Sequence, residues 1–199
     1  MKAKVGQQVI PTGDEAHLGG YVVGGDDATW YPDLWKYLVN KLAVATVVDV
    51  GCGDGQALKY FRERCGCKVL GIDGLPQKDP DIVTHDYTMG MYGAPRCDLV
   101  WCCEFVEHVP EQHIDNFLRT FEAGRYVAMT HAEPGQAGHH HVNCKPSQYW
   151  VGVMAATGYV FDDILTKCAR IAASANPSPY NHFKRSGLIF KQYGITTPN

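Results

Sequence analysis

The sequence lacks the features that would place it in several large protein classes. None of its eight cysteines forms a Cys-x-x-Cys pair, the spacing expected of a zinc ribbon or a dithiol centre. Several of the thiols, Cys97, Cys102 and Cys103 among them, fall in apolar runs where a thiol packs as a small hydrophobe. A reduced, cytoplasmic chain is therefore expected. No window approaches the roughly 18 consecutive apolar residues of a membrane span, and the first residues lead into polar sequence, so neither a span nor a secretory leader is expected. Surplus positive charge is also missing. Lys and Arg number 18 against 21 Asp and Glu, for a net charge of -3, whereas a broad grip on a phosphate backbone needs an excess of basic residues. There is no internal repeat, and the one compositional run is His139-His140-His141.

What is present is ordinary globular composition in 199 residues, enough for one domain with a real core. Residues 1–30 are rich in Gly and Asp and read as an irregular arm over a site, leaving 31–199 as the domain proper. Apolar residues at helical spacing predict helices over 32–43, from Ala57 to Cys65, over 111–122 and over 146–157, the last closed by Gly158. Short β-branched or apolar runs predict strands over 46–50, 68–73, 81–85, 98–103 and 125–130. Two further strands, 159–172 and 186–192, are expected to pair antiparallel. The alternation predicts an α/β, Rossmann-like, doubly wound sheet, mostly parallel, whose ligand crevice lies at the carboxyl ends of the strands.

The chemistry-bearing residues fall at those ends. Asp49-Val50-Gly51-Cys52-Gly53-Asp54-Gly55 joins the first strand to its helix, and its glycines let a ligand approach the backbone. A dinucleotide loop keeps negative charge away from the helix N-terminus where the pyrophosphate rests. Here Asp54 occupies that place, so a ligand with a cationic centre and a free amino group fits better than NAD. Asp73, followed by Gly74, ends the next strand about 20 residues on, where a carboxylate takes ribose hydroxyls. Asp86 and Tyr87 after the third strand are candidates for the adenine amino group and ring, and Cys103 and Glu104 follow the fourth.

These segments, with Glu104-Phe105-Val106-Glu107-His108-Val109, resemble the successive motifs of the class I methyltransferases that use S-adenosylmethionine (SAM). The resemblance spans about residues 46–170. It implies a seven-stranded sheet with an antiparallel C-terminal strand, SAM as cofactor, and Asp49, Gly51, Cys52, Gly53, Asp54, Gly55, Asp73, Gly74, Asp86, Tyr87, Cys103 and Glu104 on the cofactor side. The implied activity is methyl transfer to an oxygen of a small hydroxylated acceptor such as a sugar, with no membrane partner.

Glu104, Glu107 and His108 stand at i, i+3 and i+4, so a helical turn would direct all three one way. Such groups, completed by His140, could hold Mg²⁺ or Mn²⁺, whose ligands are oxygen-rich. This spacing is similar to the metal-dependent methyltransferases of small-RNA 3′ ends, which makes metal-assisted 2′-O-methylation of a nucleic-acid end the alternative. A SAM-binding module without chemistry is the rival from outside catalysis. In a metal-free enzyme His108, His131, His140 or His141 are the candidates for a general base, since imidazole titrates near neutral pH. Tyr21 and Tyr149 are the aromatics expected at an acceptor pocket; His17 and His182 read as structural.

Overall fold

The computed structural model describes residues 6–194. Two short strands, β1 (Gln8–Val9) and β2 (Tyr21–Val22), pair antiparallel as a ribbon ahead of the main sheet, with a 3-10 turn at Gly13–Leu18 between them. The region read as irregular thus has local order. The main elements follow as α1 (Pro32–Leu42), β3 (Thr46–Val50), α2 (Gln56–Cys65), β4 (Lys68–Asp73), β5 (Ile82–Thr84), β6 (Cys97–Cys102), α3 (Ile114–Phe121), β7 (Gly124–Met129), α4 (Ser147–Ala156), β8 (Tyr159–Phe161), α5 (Asp163–Ala173), α6 (His182–Ser186) and β9 (Leu188–Gln192).

Strands β3 to β9 form one seven-stranded sheet in the order β5-β4-β3-β6-β7-β9-β8. Only β9 runs against its neighbours, pairing antiparallel with both β7 and β8. The expected sheet, with its antiparallel C-terminal strand, is what forms. Because successive strand side chains point to opposite faces, each strand feeds two cores. Val48, Val50, Val100 and Met129 pack with α3 and α4 through Phe117, Phe121 and Trp150. On the other face Val47, Leu99, Trp101 and Ala128 meet α1, α2 and α5 through Trp35, Leu38, Phe61 and Ala169. Burying each such side chain is worth roughly 1.5–3 kcal/mol, which fixes the sheet as a rigid support for the loops at its carboxyl edge.

The stretch 159–172 corrects the expectation of one long strand. It is a three-residue strand followed by a helix. The Asp162 side chain accepts the Leu165 amide at 2.9 Å and caps α5, and Leu165, Thr166, Ala169 and Ala173 bury one face of it. That 3.6-residue period was present but masked by the apolar residues on the other face, Ile164 and Ile171, which are exposed. Likewise 182–186 is a short helix, α6, and the last strand begins only at Leu188.

Candidate functional site

The β3–α2 loop owes its shape to three glycines in the left-handed region, Gly51, Gly53 and Gly55, at φ 73, 55 and 86. A Cβ on Gly51 would lie 2.7 Å from the Phe105 ring, and one on Gly53 3.1 Å from Tyr21. The loop is thus a close-packed cradle, not merely a turn. Asp49 is buried behind it, and burial, helped by the nearby Asp73 charge, pushes its carboxyl up to about 8. Cys52 packs inward, its thiol held well above its ordinary pKa by burial. Asp54 accepts the Gly24 amide at 2.5 Å, which ties the N-terminal ribbon to the loop.

Asp73, at the end of β4, accepts the amides of Gly53 (2.8 Å) and Leu75 (2.9 Å). Burial raises it to about 6 against the pull of those two donors. Gly74 beside it is covered by Leu18, whose Cδ2 would lie 2.8 Å from an added Cβ. Asp86 binds Thr88 and the His17 ring, the latter at 2.8 Å, and these partners outweigh burial to keep its carboxyl below the usual range. Residues 17–20 therefore roof a cavity of about 50 Å³ bordered by Gly51, Asp73, Gly74, Asp86 and Glu104. Tyr87 touches this cavity but belongs to the core: its ring packs on Phe105 and Phe117, and its hydroxyl meets Thr120 at 2.8 Å. The expected adenine platform is corrected to a core tyrosine.

A second cavity, of about 350 Å³, opens along the same glycine loop between Tyr21, Cys103, Glu104, His108, His141 and His182. It shares Gly51, Glu104 and His108 with the smaller one. A still larger hollow of about 670 Å³, between 27–33 and 172–179, shares no lining residue with either and holds none of the strand-end groups. Among the described residues no Lys or Arg lines the two strand-end cavities.

The Glu-x-x-Glu-His segment departs most from expectation. Residues 104–109 form bends and turns, not a helix, so the i, i+3, i+4 argument does not apply. Glu104 sits at φ 55, a conformation that costs a non-glycine residue roughly 1–2 kcal/mol and turns its side chain to other partners. One carboxylate oxygen is 2.9 Å from His182 Nδ1. The other accepts from Thr130 Oγ1 at 3.1 Å, while the same hydroxyl accepts the Glu104 amide at 2.8 Å. Burial alone would raise Glu104; the hydrogen bond and charge of His182, with Thr130, outweigh it and hold the carboxyl below its usual value.

Glu107 is fully buried with neither side-chain oxygen hydrogen-bonded to a described residue. Burial first, then the Glu104 charge, drives it well above the carboxylate range. It converges with His108 and His141, one ligand atom of each lying within 4.8 Å of the others. Of the four expected metal ligands, then, Glu104 is engaged elsewhere and His140 is absent from the cluster and from both cavities; His141 takes its place. His108 is a poor base, because burial and then His141 lower it to about 4. His131 is buried against Ser147, and Tyr149 bonds the Glu111 carboxylate outside either cavity. Sequence reasoning missed His182, 78 positions from its partner Glu104. No local pattern marks it; only the return of the chain from α5 through α6 brings it there.

A glycine cradle bordered by carboxylates, with no Lys or Arg among the described residues that line it, suits a ligand carrying positive charge and hydroxyls. On this fold, with the cradle at the carboxyl end of β3 and an acid ending β4, that defines a class I SAM-binding methyltransferase fold. The methyltransferase-domain family matches residues 28–151, and the chain belongs to that family as a SAM-dependent methyltransferase. Among solved structures it is similar in fold to 1,6-didemethyltoxoflavin-N1-methyltransferase of Burkholderia thailandensis with 1,6-didemethyltoxoflavin and S-adenosylhomocysteine (SAH) bound. There the identity is 15%, coverage 80% of this chain and 76% of that one, and the TM-score 0.56. The plantazolicin methyltransferase BpumL, in complex with a pentazolic desmethylPZN analog and SAH, is 10% identical over 81% and 82% of the chains, with a TM-score of 0.55. The StiE O-MT, residues 961–1257, is 13% identical over 82% and 74%, with a TM-score of 0.53. Against curated protein sequences there is no match. No helix among the described residues is long and apolar enough to cross a membrane.

Proposed function

We propose that the chain methylates an oxygen of a small hydroxylated acceptor, a sugar or another polar metabolite, in the cytoplasm. The observation that carries this reading is the cavity of about 350 Å³ running from the glycine loop to Glu104 and His182. Its size is that of a small-molecule site, and its polar wall offers imidazoles and a carboxylate for hydroxyl groups. SAM, when bound, supplies an electrophilic methyl group on a sulfonium. Gly51, Gly53 and Gly55 cradle its amino-acid part, Asp73 takes the ribose hydroxyls, and Asp86 lies where the base would be read. The carboxylates complement its positive charge, and the lack of Lys and Arg among the described residues of the wall disfavours a phosphate-bearing acceptor. The toxoflavin-precursor and plantazolicin-analog complexes show small molecules on the same fold, and eight free thiols suit a reducing compartment. The test is methyl transfer from labelled SAM to panels of sugars, catechols, amines and thiols. Label on hydroxyl acceptors supports the reading; label confined to nitrogen or sulfur refutes it.

One observation favours a second reading, metal assistance. A carboxyl with no hydrogen-bond partner converges with two imidazoles at Glu107, His108 and His141, and that nitrogen-rich set suits Mn²⁺ or Zn²⁺ better than Mg²⁺. Loss of transfer on chelation, restored by Mn²⁺, would favour it; chelator-resistant transfer would remove it.

A further inference from the structure

We infer that His182 is the general base of the reaction, with Glu104 and Thr130 as its positioning residues; this rests on the oxygen-acceptor reading above. The Nδ1 atom of His182 lies 2.9 Å from a Glu104 oxygen. That carboxylate is itself fixed from two sides, by the Thr130 hydroxyl and by the left-handed backbone at Glu104. The Glu104 oxygen at 2.9 Å can only accept, so in the neutral ring the proton sits on Nδ1 and Nε2 keeps a lone pair. Nε2 has no hydrogen bond to any described residue and is not sealed from solvent, on a ring that lines the cavity of about 350 Å³ together with Gly51, Cys103 and Glu104. Carboxylate, oriented imidazole and open nitrogen are the arrangement that makes a histidine a base in acyl-transfer triads.

The other histidines lining the cavity are less suited; His139 is exposed and has no carboxylate partner among the described residues. His108 is buried and weakly basic, and His141 gives its Nδ1 to the Gln136 carbonyl while its ring joins the Glu107 cluster. The groups around His182 leave its role intact. Burial holds the Tyr31 hydroxyl neutral, and that oxygen accepts the Phe183 amide. The Cys103 thiol is likewise kept neutral by burial. Glu107 and His108 act on the dyad through Glu104, and Lys184 and Arg185 follow on the same short helix, both exposed.

In the step itself the acceptor hydroxyl gives its proton to Nε2 while an oxygen lone pair forms the new O–CH₃ bond. The CH₃–S bond breaks with its electron pair remaining on sulfur, so the sulfonium charge disappears and an imidazolium charge appears. Glu104 faces that new charge until the proton leaves to water.

The test joins a state measurement to a rate measurement. In ¹⁵N-histidine protein with SAH added, with His182→Asn to assign the signal, the neutral His182 ring is expected as the Nδ1–H tautomer. Glu104→Gln should lose that preference. An Nε2–H tautomer of the neutral ring in the unmodified protein overturns the assignment. With labelled SAM and methyl glucoside or catechol as probes, His182→Asn should slow transfer about 10²–10⁴-fold and abolish the acidic limb of the pH–rate profile. SAH affinity should stay within twofold. A rate loss under fivefold overturns the proposal. If the unmodified protein transfers to neither probe, the acceptor reading is what fails, and the tautomer measurement still decides the state of His182. His182→Gln serves should the Asn variant fail to fold.

Discussion

Substituting Asn for Asp73 tests the cofactor side of the site most directly. The carboxylate accepts two backbone amides, one on each oxygen: Gly53 on Oδ2 and Leu75 on Oδ1. An amide side chain keeps the shape but turns one of those acceptors into a donor, so one N–H faces another N–H. Leaving a buried donor unpaired costs about 1–3 kcal/mol of stability, and losing a charged acceptor for the ribose hydroxyls removes about 1.5–3 kcal/mol of binding. SAH affinity should therefore fall roughly 10- to 150-fold at pH 8, since 1.4 kcal/mol is a factor of about ten. Burial raises this carboxyl to about 6, so its proton must be displaced before it can accept from a ligand at lower pH. In the unmodified protein affinity should hold from pH 8 down to about 6, then weaken up to about tenfold for each further unit. Calorimetric titration of SAH from pH 5 to 8 reads both effects. A Kd for Asp73→Asn within twofold of the parent at pH 8, or a parent Kd flat down to pH 5, would refute the assignment.

Three further outcomes follow from the same geometry. Gly51→Ala meets both a left-handed backbone and the Phe105 ring at 2.7 Å, whereas Gly66→Ala, at φ 71 with nothing within 4 Å, meets only the backbone cost. The first should lose about 2–4 kcal/mol and the second about 1, with Tm falling about 2–4 °C per kcal/mol; equal losses in thermal unfolding would show that the loop is not close-packed. Asp49, at about 8, binds a proton in the folded chain that the unfolded chain releases near pH 4, so stability falls by up to about 1.4 kcal/mol per unit as pH rises between those values. Asp49→Asn should flatten that slope in urea unfolding, and an unchanged slope would place the proton elsewhere. The cavity of about 50 Å³ beneath residues 17–20 is narrow, so a shift of that segment is expected on binding. Removing the half-exposed His17–Asp86 pair with His17→Ala releases about 0.2–1 kcal/mol and should speed SAH association and amide exchange at Leu18 and Gly19 up to fivefold, while unaltered rates would mean the roof is not held there.

The sheet was legible in the sequence because its strands are short β-branched runs ending in acids and glycines, a pattern that needs only local periodicity. The placement of the glycine loop and of Asp73 at the ends of β3 and β4 was legible for the same reason. Where the reading failed, the cause lay in contacts or backbone states that spacing does not encode. The Glu104–His108 spacing looks helical, but Glu104 takes a left-handed backbone, and its partners are Thr130 and His182, from the ends of β7 and α5–α6. Tyr87 follows a strand end as an adenine-binding aromatic would, yet a Thr120 hydroxyl and two phenylalanines draw it into the core. Exposed Ile164 and Ile171 blurred the helical period of α5, which the Asp162 cap and the buried face Leu165, Thr166, Ala169 and Ala173 define.

The carboxyls around the cleft divide by whether a histidine reaches them. Glu104 meets His182 and Asp86 meets His17, each from a distant stretch of chain, and both stay below the usual range despite burial. Asp49 and Glu107 have no such hydrogen-bonded histidine, and burial raises both; Asp49, near 8, is largely a neutral acid at neutral pH. Asp73 stands between, near 6, with the Gly53 and Leu75 amides and the Gln77 side chain as partners and no histidine. Its charge is thus the one that a ligand can decide: a cation or a set of hydroxyls favours the ionised form, and an anion opposes it. Two histidine-paired carboxylates and one adjustable carboxyl suit a cationic or hydroxylated ligand better than a phosphate-bearing one. It also makes proton release on binding near pH 6 a property of the ligand's charge, so that SAM, with its sulfonium, should release more protons than SAH under the same conditions.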